Sequence, residues 1–508
     1  MNAEPGADRE PLHARVAALL ELAFNPIMLK ELRASLRGTR FFVSHLVILC
    51  LFAGGLMLAF LSMLPARAGG ADDPGDPSAI GRAVYLITQL LQLGVAFLVV
   101  PGLAATSIST ERESLTHELL LTTTMTARQI VWGKFTAAMT QAFTLFVSMV
   151  PLVSLCFLFG GVTVYQILAN YAFLFGLSAV MIAYALSMSA NARSTQRAVG
   201  SVYGLTLLGG IILLVVLGLT RNTEFFEALA VAYGFVSPAE MSRAASMDVM
   251  SRVLYVHLAP GFLWAALVSL FFINATNRLK PIFANRSTPL RIYFVFVIFA
   301  AGLITTLALR HSVSPTSAAD ERSYALMAYS IVALTVSLLR ALFACEDPVL
   351  PPYLALEIGS WKGWRRAQRI LWPGSGSGSL FTILTVSLFL AASFAGFRGF
   401  ARDFDRGAWA GSWTWLPLAS AFLMVFCWTV FTSLLARWLA ALMPDRPLLL
   451  RTLLILSCLF LALAPLIHWA IAEAIDRDPL DLQRRNGPVT LALSPIMAVL
   501  SALDLSPG

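Results

Sequence analysis

Apolar runs long enough to cross a bilayer recur along almost the whole chain. They fall at roughly 41–64, 83–107, 135–159, 165–189, 198–219, 253–274, 291–309, 324–344, 380–397, 413–436 and 449–472. A shorter twelfth piece lies at 489–503. A helix needs ~20 residues to cross the hydrocarbon layer, and its backbone must satisfy its own hydrogen bonds there. The pattern predicts an all-α fold, a polytopic transmembrane helical bundle of 11–12 spans. The sequence is 58% hydrophobic and only 13% charged over 508 residues, against about 25% charged in soluble domains. That argues against both a soluble enzyme and a disordered chain.

Positive charge orients such a bundle, because loops rich in Lys and Arg stay on the inner side. With a cytoplasmic N-terminus, the inner segments hold 22 of the 36 basic residues and the outer segments 13. Lys30, Lys134, Lys280 and Lys362 are all inside, whereas Asp72, Asp73 and Asp76 cluster in the first outer loop. The expectation is a multi-pass protein of a bacterial inner membrane. The run beginning near Phe41 would serve as an uncleaved signal-anchor.

Two stretches on the inner side stand out. In residues 25–40, Lys30, Arg33, Arg37 and Arg40 share one helical face and Met28, Leu29, Leu32 and Leu36 the neighbouring one. This predicts an interfacial helix at the lipid bilayer, cationic toward headgroups and apolar toward acyl chains. Between spans two and three, residues 107–135 open with Ser109 or Thr110 as an expected N-cap before Glu111 and Glu113. Leu115, Leu119 and Leu120, with His117 and Glu118, suggest a short amphipathic helix, and a second helix is expected to start at the N-cap Thr126. Such a piece is either a docking surface for a partner or a polar turn.

The motifs here resemble those of type-2 ATP-binding-cassette (ABC) exporter permeases. The pattern NP-[IV]-x-x-[RK]-E-[LF]-R is matched by Asn25, Pro26, Ile27, Lys30, Glu31, Leu32 and Arg33. The later pattern is matched by Glu111, Arg112, Glu113, Thr116, Glu118, Leu119, Leu120, Leu121 and Thr123, then by Ile130, Val131, Gly133 and Lys134. FLFGGVT at 157–163 corresponds to a Gly-Gly turn after span three. The sequence departs at Leu115, where the family prefers Gly, and at Thr124, where it prefers Pro. The resemblance implies an elbow helix at 25–40, carrying Asn25, Pro26, Lys30, Glu31, Arg33 and Arg37. It also implies a coupling helix at 108–126, where Glu111, Arg112, Glu113, Thr116, Glu118, Leu119 and Leu120 meet a dimeric cytosolic ABC ATPase. ATP and Mg would sit on that partner, with no cofactor on this chain. In agreement, no G-x-x-x-x-G-K-[ST] occurs: Gly133-Lys134 is followed by Phe135.

The implied organisation is a cytoplasmic tail over 1–24, a permease half with six spans over 25–275, and a second membrane half over 276–508. That second half reads as a diverged permease unit or an accessory bundle. Its segment 345–379 sets Trp361, Trp364 and Trp372 beside Lys362, Arg365, Arg366 and Arg369, which suits headgroup level and not nucleic acid. GSGSGS at 374–379 reads as a flexible link. Ser-Pro pieces at 235–246 and 491–503 echo each other, so 489–503 is either re-entrant or a short span. Whether a second permease chain joins the assembly stays open.

No metal or hydrolase constellation is visible. The five cysteines, Cys50, Cys156, Cys345, Cys427 and Cys458, lack ligand spacing, and the six histidines form no HExxH. Intramembrane polar residues are the remaining suspects: Gln89 and Gln92, then Gln141, Asn170 and His257. Gln89 and Gln92 line a pathway or serve as interhelical hydrogen-bonding glue. The expected function is the membrane permease of an ABC exporter. The alternatives are a membrane scaffold with the same fold in a secretion, motility or envelope assembly, and an ion-coupled transporter.

Overall fold

Residues 26–63, 77–114, 125–156, 160–219, 259–281, 284–312, 353, 356, 368–404 and 415–442 are described by a computed structural model. Every long element among them is an α-helix. They are α1 (Pro26–Arg37), α2 (Thr39–Met63), α3 (Pro77–Leu98), α4 (Val100–Ala105), α5 (Ser109–Glu113) and α6 (Ala127–Ser154). They continue as α7 (Val164–Asn191), α8 (Thr195–Leu219), α9 (Ala259–Leu279), α10 (Ser287–Ser312), α11 (Ser375–Phe404) and α12 (Trp415–Leu442). Helices overlap nine of the eleven expected spans; 324–344, 449–472 and the piece at 489–503 lie outside the described residues. Five helices among the described residues are long and apolar enough to cross a membrane. The chain is a multi-pass helical membrane protein.

Two compact units divide the chain. One comprises residues 1–247 with 256–280, the other 248–255 with 281–508.

In the first unit α7 is the central helix. Of its apolar window 61% is buried, against 6% for α2, whose Phe42, Leu46, Leu51 and Leu58 face outward. Small residues let neighbours approach α7: the Trp264 indole of α9 lies 3.4 Å from where a Cβ on Gly176 would stand. Asn274 of α9 donates to Ser187 Oγ at 2.6 Å. Local sequence sets the helix starts. Thr126 and Thr163 each close a capping box, with Gln129 and Gln166 as the reciprocal partners. Gly160 and Gly161, at φ 76° and 79°, make the turn that precedes α7. The N-cap expected at Thr126 and the Gly-Gly turn are both present.

Two local expectations are corrected. Residues 26–40 are not one helix: the chain bends at Gly38, so Arg40 belongs to α2 and not to α1. Neither Ser109 nor Thr110 caps α5. Its N-cap is Ile108, with no side-chain cap bond. The Ser189 hydroxyl of α7 instead accepts from Ile108 N at 3.1 Å and Ser109 N at 3.0 Å. A tertiary neighbour supplies what a local cap would have given.

The second span is broken at Val99, where α3 gives way to α4 with Pro101 in its first turn. Tyr203 of α8 donates into this break, to Leu98 O at 2.8 Å. A Cβ on Gly102 would stand 2.7 Å from that hydroxyl. Gly102→Ala is therefore expected to cost the Tyr203–Leu98 bond. In thermal unfolding of the solubilised chain, Gly102→Ala and Tyr203→Phe together should lose less than the sum of the single losses.

In the second unit α10 packs on α11 and α11 on α12. Gly302 of α10 admits the Phe389 ring of α11. Buried Thr382 and Thr385 return their hydroxyls to the carbonyls of Gly378 and Phe381 in their own helix. The GSGSGS run is not a link: from Ser375 it forms the first turns of α11, after a bend at Gly374 with φ 130°. The reason is Arg291 of α10, which is fully buried. Its Nη1 donates to Ile370 O at 2.6 Å, Trp372 O at 2.5 Å and Ser377 Oγ at 3.2 Å. The guanidinium also lies 5.7 Å from the centroid of the Phe381 ring. Ser377 Oγ in turn donates to Trp372 O at 2.7 Å and Gly374 O at 2.9 Å.

Candidate functional site

Lys134 is the centre of the most charged site among the described residues. It sits in an apolar stretch near the start of α6 and is 3% exposed. An ammonium cannot be buried there without partners. Its Nζ donates to Glu31 Oε1 of α1 at 2.9 Å, Glu111 Oε1 of α5 at 2.7 Å and the Ser107 carbonyl at 3.0 Å. All three donor positions of the ammonium are thereby used. One cation binds carboxylates from two other elements.

Neighbouring side chains extend the contact. Gln141 of α6 donates to Ser35 Oγ of α1 at 3.1 Å. Ile27, Glu31 and Ser35 recur at helical spacing, so α1 has three faces. One buries Ile27 and meets α6 through Glu31 and Ser35. One exposes Leu29 and Leu36, and one exposes Lys30, Arg33 and Arg37.

The triplet Glu111-Arg112-Glu113 reaches three different helices. Glu111 holds Lys134 at the start of α6. Arg112 Nη1 donates to Ala190 O and Ala192 O, both at 3.1 Å. Those carbonyls end α7, where a cation also complements the helix dipole. Glu113 Oε1 accepts from Thr195 N at 2.9 Å and Oε2 from Thr195 Oγ1 at 2.5 Å, placing an anion at the N-terminus of α8. Three consecutive residues thus tie α5 to the ends of α6, α7 and α8, and through Lys134 to α1.

Of the other residues singled out by sequence, Asn25, Thr116, Glu118, Leu119, Leu120 and His257 lie outside the described residues. So do Trp361, Lys362, Trp364, Arg365 and Arg366. Pro26 opens α1. Gln89 and Gln92 are both buried, at 1% and 0% exposure. Gln92 Nε2 donates to Tyr171 Oη at 3.1 Å, and Gln92 Oε1 accepts from Asn170 Nδ2 at 2.8 Å. Tyr171 Oη in turn donates a hydrogen bond to Phe146 O at 3.3 Å. These bonds join α3, α7 and α6. Gln92→Leu is expected to lower stability by about 1 kcal/mol, the scale of interhelical bonds in membranes, read as a lower midpoint in thermal unfolding.

Glu31, Lys134 and Gln141 stand out in the sequence, but nothing local shows that they meet, or that Ser35 joins them. One signal was available: Lys134 is the one charge between Gln129 and Leu155, and an isolated charge in an apolar helix has to find a partner.

Residues 25–270 match the model of the family described as ABC-2 family transporter protein. No curated protein matches the chain.

Proposed function

From the match of residues 25–270 to the ABC-2 transporter family, we propose that this chain is an ABC transporter membrane permease and works as an exporter driven by a separate cytosolic ATPase dimer. The end of the first unit carrying α1 and α5 faces the cytoplasm of a bacterial inner membrane, with the N-terminus on that side. The coupling helix is 108–126, in the coupling segment 108–134, and Thr116, Glu118, Leu119 and Leu120 serve as docking residues for the ATPase. ATP and Mg are held by that partner, and this chain performs no hydrolysis.

The observation that carries the reading is the triplet at 111–113. A segment docked on a moving partner does work only if its displacement reaches the spans. Here Glu111, Arg112 and Glu113 grip the ends of α6, α7 and α8, and α5 continues from α4 beyond the break at Val99. Closure of the ATPase dimer would pull on α5 and shift those helix ends together. The break at Val99 would let α4 and α5 move while α3 stays packed.

The test is reconstitution of the full chain with the cassette ATPase that co-purifies with it, in inside-out vesicles. Accumulation of substrate inside the vesicles on adding ATP supports export. Retention of no ATPase by the solubilised chain overturns the reading. ATP hydrolysis that no substrate stimulates would point to mechanical work in an envelope assembly.

A further inference from the structure

Among the described residues, Glu31, Glu111 and Glu113 are each bound to another element of the permease. Glu31 and Glu111 hold Lys134, Glu113 holds Thr195, and Arg112 holds the end of α7. Among the described residues at this end, Glu113 is exposed but bound to Thr195, and the exposed charges left without a bond are basic. Arg128, Arg193 and Arg197 are exposed, and their guanidinium groups make no hydrogen bond or ion pair within the described residues.

Their places are informative. Arg193 and Arg197 flank Thr195, the residue that Glu113 grips as the chain leaves α5. Arg128 comes two residues after Thr126, the N-cap at which α6 begins and the proposed coupling helix 108–126 ends. The three arginines therefore bracket the segment at its entrance and its exit.

Their neighbours separate them from the cations of α1. Lys30, Arg33 and Arg37 share their helix with exposed Leu29 and Leu36, an arrangement suited to a lipid surface. Arg128, Arg193 and Arg197 lie beside exposed Gln129, Asn191 and Gln196. Among the described residues, no large hydrophobic side chain is exposed between Leu98 and Phe143, or between Leu168 and Leu205. An aqueous, hydrogen-bonding partner fits such a rim, and charge complementarity sets its sign.

We propose that Arg128, Arg193 and Arg197 form a basic rim that docks an acidic groove of the partner ATPase, while Glu111, Arg112 and Glu113 act inward as a clamp. This rests on the ATPase-driven reading above.

The test uses the full chain in nanodiscs, with the cassette ATPase that co-purifies with the unmodified chain as the probe. The triple substitution Arg128→Glu, Arg193→Glu and Arg197→Glu is expected to weaken ATPase binding about ten-fold or more. The loss should be the same in phosphatidylcholine alone and in phosphatidylcholine with phosphatidylglycerol. The thermal midpoint should hold, because these side chains make no internal bonds. The triple Lys variant should bind as the unmodified chain does, and binding should weaken as salt rises. Unchanged affinity of the triple Glu variant overturns the rim and leaves the ATPase-driven reading standing. If the unmodified chain binds no ATPase, that reading itself falls. A loss confined to discs with phosphatidylglycerol makes the rim a lipid surface and overturns the proposal. So does an equal loss from Lys30→Gln, Arg33→Gln and Arg37→Gln, which would make net charge alone the cause.

Discussion

Replacing Lys134 by methionine is expected to destabilise the solubilised chain by about 3 kcal/mol, because it leaves carboxylates without their buried counter-charge. Glu111 is 16% exposed at its side chain and Glu31 30%, so water recovers part of the loss for Glu31 and little for Glu111. The readout is the thermal midpoint followed by tryptophan fluorescence. Proteolysis supplies a second, local readout: α1 is bound to α6 through Glu31 and Ser35, so the Lys134→Met variant should be cut more readily near Gly38. Restoring charge balance should recover most of the stability. Lys134→Met combined with Glu31→Gln and Glu111→Gln replaces the whole charge cluster, and removing all partners together is often close to neutral. The triple variant should thus be more stable than the single one. Lys134→Arg should not rescue, because a guanidinium cannot occupy a cage sized for an ammonium with three separate acceptors. Equal midpoints for Lys134→Met and the unmodified chain would show that the cluster contributes nothing to stability.

Arg291→Met is the second large effect, expected to cost about 3 kcal/mol or more. Each buried acceptor left unsatisfied costs about 1–3 kcal/mol, and Arg291 supplies donors to the carbonyls of Ile370 and Trp372 and to the Ser377 hydroxyl. The start of α11 should loosen first, since the same carbonyl of Trp372 is shared with Ser377. Hydrogen exchange should show lost protection over 372–380, ahead of any change in α12. Arg291→Lys should recover only part, because the shorter, non-planar ammonium cannot span the same acceptors. Protection over 372–380 equal to that of the unmodified chain would rule out the clamp.

Local chemistry made several features readable in advance. Thr126 and the Gly160-Gly161 turn act through residues within a few positions of themselves. The span ranges followed from apolar length alone. The N-cap at Ser109 failed because a hydroxyl 80 residues away, on Ser189, supplied the bond instead. The GSGSGS run failed for the same kind of reason. Composition makes such a run flexible in isolation, but a buried guanidinium and Ser377 fix its start as helix. Gln92 was readable as a polar residue inside a span; its engagement with Asn170 and Tyr171 was not.

The sequence by itself determined that the chain is a helical membrane protein and where most spans lie. Apolar length and charge placement act residue by residue, so they need no knowledge of the fold. Only the tertiary structure decided which charges face outward. Lys134 and Arg291 counted among the cations of the inner face, yet both are buried and hold helices together. Arg128, Arg193 and Arg197 look no different in the sequence, yet they are exposed. Burial and pairing depend on what packs against a side chain, and those neighbours lie 23 to 103 positions away for Lys134.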